Sequence, residues 1–460
     1  MVYFIGIGGI GMSALARYFN LSGKRVYGYD LTPTKLTERL IEEGIDITFR
    51  DDAEEIPGHF KKKSNKDGIL VVYTPAIPSD NKIFRYFLNN GYHMVKRSAI
   101  LGELVNKAKG IAVAGTHGKT SVSALTAHLL TGSSAGCTGF LGGVAKNYKS
   151  NLLVNSDSEL VVVEADEYDR SFLRLFPYIA VITSMDPDHL DIYGNFEELK
   201  KAFSGFAGQV KDGGTLICRQ GIDLVNKHGE GVDFYTYGLD DTADFYASDI
   251  KIGADGLSVF NFVAPGIQFS NIKLGIPGRF NVENAVAAIA VAMICGVGET
   301  AIRRGLESFR GILRRFEIKI NTRECVMIDD YAHHPAELKA CISAVREIFP
   351  GRKITGIFQP HLYSRTRDFA DQFAESLEEL DSLVLLDIYP ARERPIPGVS
   401  SEIIFRKVKL KGKVLCTRKE LTGIIEGMQT DIVITLGAGN IDTMVEPVKK
   451  VLLKKTEQTL

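Results

Sequence analysis

Two glycine-rich loops, Gly6-Ile7-Gly8-Gly9-Ile10-Gly11 and Gly115-Thr116-His117-Gly118-Lys119-Thr120, set the frame for this 460-residue chain. Each follows a short apolar run, Val2–Ile5 or Ile111–Ala114, and each opens a helical stretch. A strand, glycine turn and helix in that order point backbone N–H groups and the positive end of the helix at one place, which suits an anion. Such units belong to α/β folds with largely parallel sheets. Two of them, separated by a domain's length of chain, imply two phosphate-bearing ligands on two different sheets.

The length is enough for roughly two to four domains. Hydrophobic residues at 45% and charged residues at 24% are ordinary for globular cores. Net charge is −1, with Lys and Arg spread along the chain and a small cluster, Lys61-Lys62-Lys63, expected in a loop. No basic stripe marks a nucleic-acid binder. The cysteines Cys137, Cys218, Cys295, Cys325, Cys341 and Cys416 are scattered, mostly in apolar segments, and read as buried free thiols of a reducing compartment. No apolar run reaches the ~18 residues needed to span a bilayer. The opening MVYFIGIGG lacks a basic leader region and reads as a first strand. A cytoplasmic protein without nucleic-acid or membrane partners is expected.

Alternation of apolar runs and helices divides the chain into three blocks, predicted as domains over 1–97, 98–313 and 314–460. The first holds strands Val2–Ile5, Arg25–Tyr29 and Gly68–Tyr73, with a helix ending near Leu21. The second holds Ile111–Ala114, a helix from Lys119, strands Glu159–Val163 and Tyr178–Thr183, and a closing helix Asn281–Cys295. Between about Thr215 and Pro277 the pattern turns to strands with many turns, predicted as an antiparallel addition to the sheet. The third restarts the alternation at Cys325–Asp329, Lys353–Phe358, Leu383–Ile388, Lys413–Cys416 and Asp431–Leu436.

In the central loop Val113 stands where a full Walker A motif has its first glycine, so the motif is a tighter variant. Its physics is unchanged. Gly115, Thr116, His117 and Gly118 supply backbone N–H groups, Lys119 a full charge, and Thr120 a hydroxyl suited to magnesium, with Ser121 in the first helical turn. Two later strand ends are acidic: Glu164, Asp166 and Glu167 in one, Asp186, Asp188, His189 and Asp191 in the other. Parallel strands bring such ends to one side of a sheet, so at least one metal ligand is expected among them.

In the first loop Gly6, Gly8 and Gly11 form GxGxxG, and Asp30 ends the next strand, as in a dinucleotide fingerprint. Only the central loop carries Lys-Thr. That one suits ATP with Mg2+; the first suits a diphosphate that is held but not cleaved. A competing reading is an NAD-dependent oxidoreductase, which leaves the Lys119 loop and the third block unexplained. A non-catalytic nucleotide-binding regulator is a further alternative, disfavoured by the metal-type residues.

The stretches FIGIGGIGMSALA, TPAIPSDN, AGTHGKTSVSA, EADEYDRSFL, DPDHLDIYGNFEELKKAF, PGRFNVENAVAA, LRRFE, DDYAHHPAE, FQPHLYSRTRD and LGAGNI run in order along nearly the whole chain, and together they resemble the Mur ligase family. The resemblance implies an α/β protein of three domains: an N-terminal Rossmann-like domain, a central P-loop ATPase with added antiparallel strands, and a C-terminal Rossmann-like domain. It implies joining of L-alanine to UDP-N-acetylmuramate with ATP and Mg2+, as a monomer or weak homodimer; ligation of a murein tripeptide to the same sugar is the close variant. By matching motif, the first loop with Gly9, Met12 and Ser13 would take the UDP diphosphate. Lys119, Glu164 and His189 would be catalytic, with Thr120, Glu164 and His189 as metal ligands. Asn281, Asn284, Arg315 and Asp330 would reach ATP. His361, Arg365 and His334 would meet the amino acid, with His333 and His334 both facing the site. Two departures stand out: many relatives carry an arginine where Leu362 stands, and Phe203 occupies the place of a carbamylated lysine in sister ligases, with Lys200 and Lys201 out of register.

Overall fold

The computed structural model describes residues 1–61, 66, 68–187, 190–224, 229–253, 255–391 and 393–459. Lys62 and Lys63 of the basic cluster, and Asp188 and His189, lie outside the described residues. The chain partitions into two compact units: residues 1–250, 259–275 and 282–310 form one, and 251–258, 276–281 and 311–460 the other.

The first unit carries one whole sheet and most of a second. One contains β1 (Val2–Ile5), β2 (Val26–Tyr29), β3 (Asp46–Thr48), β4 (Leu70–Tyr73) and β5 (His93–Lys96), in the order β3-β2-β1-β4-β5 and parallel throughout. The order reverses at β1, which opens a crevice beyond its C-terminal end, where the first glycine loop begins.

The second sheet has ten strands: β6 (Lys109–Ala114), β7 (Thr138–Ala145), β8 (Ser150–Leu153), β9 (Leu160–Glu164), β10 (Ile179–Ile182), β11 (Thr215–Arg219), β12 (Asp233–Gly238), β13 (Phe245–Ile252), β14 (Leu257–Ala264) and β15 (Ile267–Pro277). Their order is β15-β14-β13-β12-β11-β10-β6-β9-β7-β8. Buried β6 pairs parallel with β10 on one side and β9 on the other, so Gly115, Glu164 and Thr183 all arrive at one sheet edge. The antiparallel expectation for residues after Thr215 needs correction, because β11 pairs parallel with β10 and with β12, and β12 parallel with β13. The connection from Arg219 to Asp233 is long enough to carry the chain back for a parallel return. Only the tight links between β13, β14 and β15 require antiparallel neighbours, and β14 shows the matching alternation of buried and half-buried residues. An antiparallel hairpin of β7 and β8, absent from the sequence prediction, closes the other edge.

These two sheets share one core. Met12, Leu15 and Ala16 of the Ile10–Leu21 helix join Phe140, Leu152, Phe172 and Phe203 in a continuous apolar cluster. Within it Asn151 of β8 is fully buried: its Nδ2 donates to Ile10 O at 2.6 Å and Ser13 Oγ at 2.9 Å, and its Oδ1 accepts from the buried Arg17. Asn151→Ala leaves those groups unpaired and should lower stability by about 1–3 kcal/mol in chemical denaturation.

The second unit carries β16 (Glu317–Asn321), β17 (Val326–Asp330), β18 (Ile354–Phe358), β19 (Ser382–Leu386), β20 (Lys413–Cys416) and β21 (Ile432–Leu436), ordered β16-β17-β21-β18-β19-β20. All pairs are parallel except β16 with β17. The inner strands β17, β18 and β21 are fully buried, as expected for a sheet covered on both faces by helices, whereas the edge strands β16 and β20 are partly exposed. All six cysteines are free thiols, five of them buried.

Candidate active site

The central loop is built by its glycines. Gly115 sits at φ +137°, and a Cβ there would lie 2.1 Å from Thr183 Oγ1 and 2.8 Å from Ser184 N. Gly118, at φ +83°, is the N-cap of the Lys119–Thr131 helix. Residues after β10 latch the loop in place: Ser184 Oγ accepts from His117 N at 2.6 Å and shares a hydrogen bond with Thr116 Oγ1 at 2.9 Å. Asp186 N donates to Thr116 Oγ1 at 3.0 Å, and the Asp186 carboxylate lies 3.6 Å from His117 Nε2. Ser121 is half-buried in the first turn, and Asn284 Oδ1 comes close to Gly118, 3.1 Å from where a Cβ would stand. Asn281 is buried and donates to Pro277 O at 2.6 Å.

Lys119 Nζ donates to Gly115 O at 2.5 Å and to both carboxylate oxygens of Glu167 at 2.8 Å. Burial alone would lower its pKa, but Glu167, Glu164 and Asp166 outweigh that and raise it, so the ammonium stays charged. Burial pushes the Glu167 carboxyl up to about 7 against the pull of Lys119. Beside it, Thr120 Oγ1 donates to Glu164 Oε2 at 2.8 Å. Glu164 lies across Gly142 of β7, where a Cβ would be 1.7 Å from Oε2. The hairpin glycine is therefore part of the site, and nothing in the sequence pattern singles it out. Among the described residues no group of three His, Cys, Asp or Glu side chains forms a metal cluster. Lys200 and Lys201 pair with Glu197 and Glu198, and Phe203 is fully buried against Phe172.

In the first loop Gly6 takes φ +86°, and Gly9, the N-cap of the Ile10–Leu21 helix, leaves the helix start without a side-chain cap. Asp30 spends its carboxylate on the loop itself: Oδ2 accepts from Gly8 N at 2.8 Å and Oδ1 from Thr32 N at 3.1 Å. The side chains of Met12 and Ser13 are buried in the first turns of that helix. Sequence reasoning missed Arg97. A Cβ on Gly11 would lie 2.8 Å from Arg97 Nη1, while Nη2 is 3.8 Å from Asp166 Oδ2 of the EADEYD segment. One guanidinium thus touches both glycine-cradle neighbourhoods. Beside the positive end of a helix the guanidinium adds to an anion-attracting field, partly offset by Asp166.

The second unit gathers its own candidates at the C-terminal ends of β17, β18 and β19. The ring of His333 packs edge-on against His361 at 5.8 Å, and His361 stacks on Tyr389 at 5.8 Å. His334 is buried against Phe369, and its backbone N–H donates to Glu337. Arg365 is buried in the Tyr363–Asp368 helix, whose N-cap Leu362 is held at φ +70°. Both Asp330 oxygens accept backbone N–H groups, from Phe316 at 2.6 Å and Ala332 at 2.7 Å, and burial pushes its carboxyl up to about 6. Asp330 therefore fixes the turn that carries Arg315, whose guanidinium lies over Tyr331 and 3.7 Å from Glu337.

Known proteins resemble this chain over nearly its whole length. Residues 1–109 match the model described as Mur ligase family, catalytic domain, residues 113–292 the Mur ligase middle domain, and residues 314–439 the Mur ligase, glutamate ligase domain. A UDP-N-acetylmuramate--L-alanine ligase of Parabacteroides distasonis is 51% identical over 454 residues, covering 99% of this chain and 97% of that protein. One from Porphyromonas gingivalis is 51% identical over 453 residues, 98% of each chain. Among solved structures, the UDP-N-acetylmuramate-alanine ligase of Thermotoga maritima superposes with a TM-score of 0.81 at 27% identity over 99% of both chains. A murein peptide ligase of Psychrobacter arcticus shares the fold, with a TM-score of 0.69 at 20% identity over 98% of both. Family models that succeed one another from residue 1 to 439, over sheets and loops of the kind such a ligase requires, leave one assignment: the chain belongs to the Mur ligase family of ATP-dependent, Mg2+-using enzymes.

Proposed function

We propose that this protein joins L-alanine to the lactyl carboxylate of UDP-N-acetylmuramate, converting ATP to ADP and phosphate, as a cytoplasmic step of peptidoglycan precursor synthesis. The observation that carries the reading is Arg97, whose guanidinium stands between the uncapped helix behind the first loop and the acidic segment beside Lys119. Two phosphate cradles that meet at one arginine suit a reaction in which a sugar nucleotide and ATP must lie side by side. The names of the relatives support the choice of substrates. Asp30 is engaged with the loop backbone, which gives the NAD reading no support.

The chemistry assigns the parts. A carboxylate is a poor acyl donor, so the γ-phosphoryl group of ATP moves to a lactyl oxygen, giving an acyl phosphate and ADP. The amine of L-alanine attacks that carbonyl, and the tetrahedral intermediate expels phosphate. Phosphoryl transfer rests on positioning and charge neutralisation. Gly115 to Ser121 and Asn284 position the triphosphate, and Lys119 offsets the charge that develops on it. Thr120 and Glu164 present hard oxygen donors 2.8 Å apart that would hold Mg2+, which would supply positive charge against the phosphates. His189 is proposed as a further ligand. Gly6, Gly8, Gly9 and Gly11, with Arg97, take the UDP diphosphate. His334, His361 and Arg365 meet the alanine carboxylate, an anion suited to the planar guanidinium. Residues 1–97, 98–313 and 314–460 are proposed as the sugar-nucleotide, ATPase and amino-acid domains of a monomer or weak homodimer.

Phosphate release should require ATP, Mg2+, UDP-N-acetylmuramate and L-alanine together; phosphate release independent of the sugar nucleotide would refute the assignment. Arg97→Met, which keeps the aliphatic stem, should raise the KM for UDP-N-acetylmuramate about tenfold or more, through loss of a charge-assisted contact, and leave the KM for ATP within about twofold.

A further inference from the structure

Lys119 has no free donor in this structure. An ammonium carries three N–H groups, and Nζ has three acceptors: Gly115 O at 2.5 Å and the two oxygens of Glu167 at 2.8 Å. The Glu167 side chain is fully buried, whereas the Lys119 side chain keeps 12% of its exposure. The carboxylate therefore lies behind the ammonium, on the side away from solvent. An incoming phosphate has to displace one of these partners, and of the three only the two carboxylate oxygens bear charge.

Glu167 is also prevented from following the lysine outward. Tyr193 OH donates to its backbone oxygen at 2.7 Å. Asp169 and Arg170, just beyond, are both held in the left-handed region at φ 54° and 53°, and Arg170 lies over the Tyr193 ring. Two successive non-glycine residues in that region are strained and mark a turn the surroundings enforce. A buried ion pair is in general no better for stability than apolar packing, so stability does not account for this one.

We propose that Glu167 is a positioning residue that parks Lys119 in the nucleotide-free cradle, so that its carboxylate competes with nucleotide phosphates for the same ammonium. The inference rests on the reading of the Lys119 loop as the nucleotide cradle. Its consequence is opposite to that of a supporting residue: nucleotide binding breaks a pair that must be remade on release, so Glu167 weakens ADP affinity and speeds product departure. In Glu167→Gln the shape is kept and one acceptor remains, but the competing charge is gone. Glu164 and Asp166 still hold Lys119 in its charged form.

The test is calorimetric titration of the full-length protein with ADP in the presence of Mg2+. Glu167→Gln should bind ADP about tenfold tighter than the unaltered protein, with a lower kcat. The shortened Glu167→Asp should fall between them and serves if the first variant does not fold. The tightening should vanish when Lys119→Ala is added, which a general loosening of the loop would not produce. A folded Glu167→Gln or Glu167→Asp protein that binds ADP no tighter would overturn the parking role alone. Failure of the unaltered protein to bind ADP, or equal binding by Lys119→Ala, would overturn the cradle reading and the inference with it.

Discussion

Lys119→Ala is expected to reduce amide synthesis by at least about 10³-fold, the scale on which a preorganised charge acts in a water-poor site. Binding of UDP-N-acetylmuramate should be preserved, because no first-loop residue touches Lys119 among the described contacts. The variant has a structural cost that must be separated from the catalytic one. Removing the ammonium strands Glu167, fully buried, without the charge that accompanies it, and an unpaired buried charge costs about 3–5 kcal/mol. The Lys119→Ala, Glu167→Gln double variant should recover much of that stability. It should recover none of the activity. Steady-state phosphate release beside a denaturation curve for each protein separates the two effects, and a double variant that regained turnover would show that Lys119 acts only through folding.

Gly142→Ala is expected to damage catalysis less than Lys119→Ala but still substantially, while leaving the fold standing. The new methyl group would lie 1.7 Å from Glu164 Oε2 and 2.5 Å from its carboxyl carbon, so the carboxylate has to swing away from Thr120. The end of a glutamate side chain moves at little cost, and Gly142 is not among the glycines with positive φ, so the backbone accepts alanine. What is lost is the convergence of a hydroxyl and a carboxylate on one point. Turnover should fall about 10–100-fold, the range seen when a metal ligand loses its support, and the Mg2+ concentration for half-maximal rate should rise. Unchanged Mg2+ dependence in a folded Gly142→Ala protein would remove Glu164 from the metal site.

Sequence and structure agree best where local physics is strong. The glycine turns, the helix that begins at Lys119 and strand Lys413–Cys416 stand where the sequence predicts them, since an apolar run, a glycine and a helical stretch leave little choice. The phosphate-loop residues and Glu164 were legible for the same reason: each sits at the end of a parallel strand. Arg97, Gly142 and the Glu167–Lys119 pair were not legible. Arg97 opens an unremarkable helix, and its meaning comes from Gly11, far away in sequence. Gly142 lies inside a hairpin strand and matters only because Glu164 crosses it. Within the turn-rich stretch after Thr215 only the pairings of β11 to β13 depart from the antiparallel expectation, because the long link from Arg219 to Asp233 permits a parallel neighbour. Asp30 and His334 show the remaining limit: the Gly8 N–H on one and the Phe369 ring on the other are contacts that a residue type alone does not foretell.

The central claim is that the terminal phosphoryl group of ATP passes to the lactyl carboxylate before the amine attacks. UDP-N-acetylmuramate labelled with ¹⁸O in that carboxylate, turned over with unlabelled ATP and L-alanine, tests it directly by mass spectrometry of the released phosphate. One ¹⁸O in each phosphate, matching the amide formed, is the predicted result. Phosphate free of label while amide accumulates would contradict it.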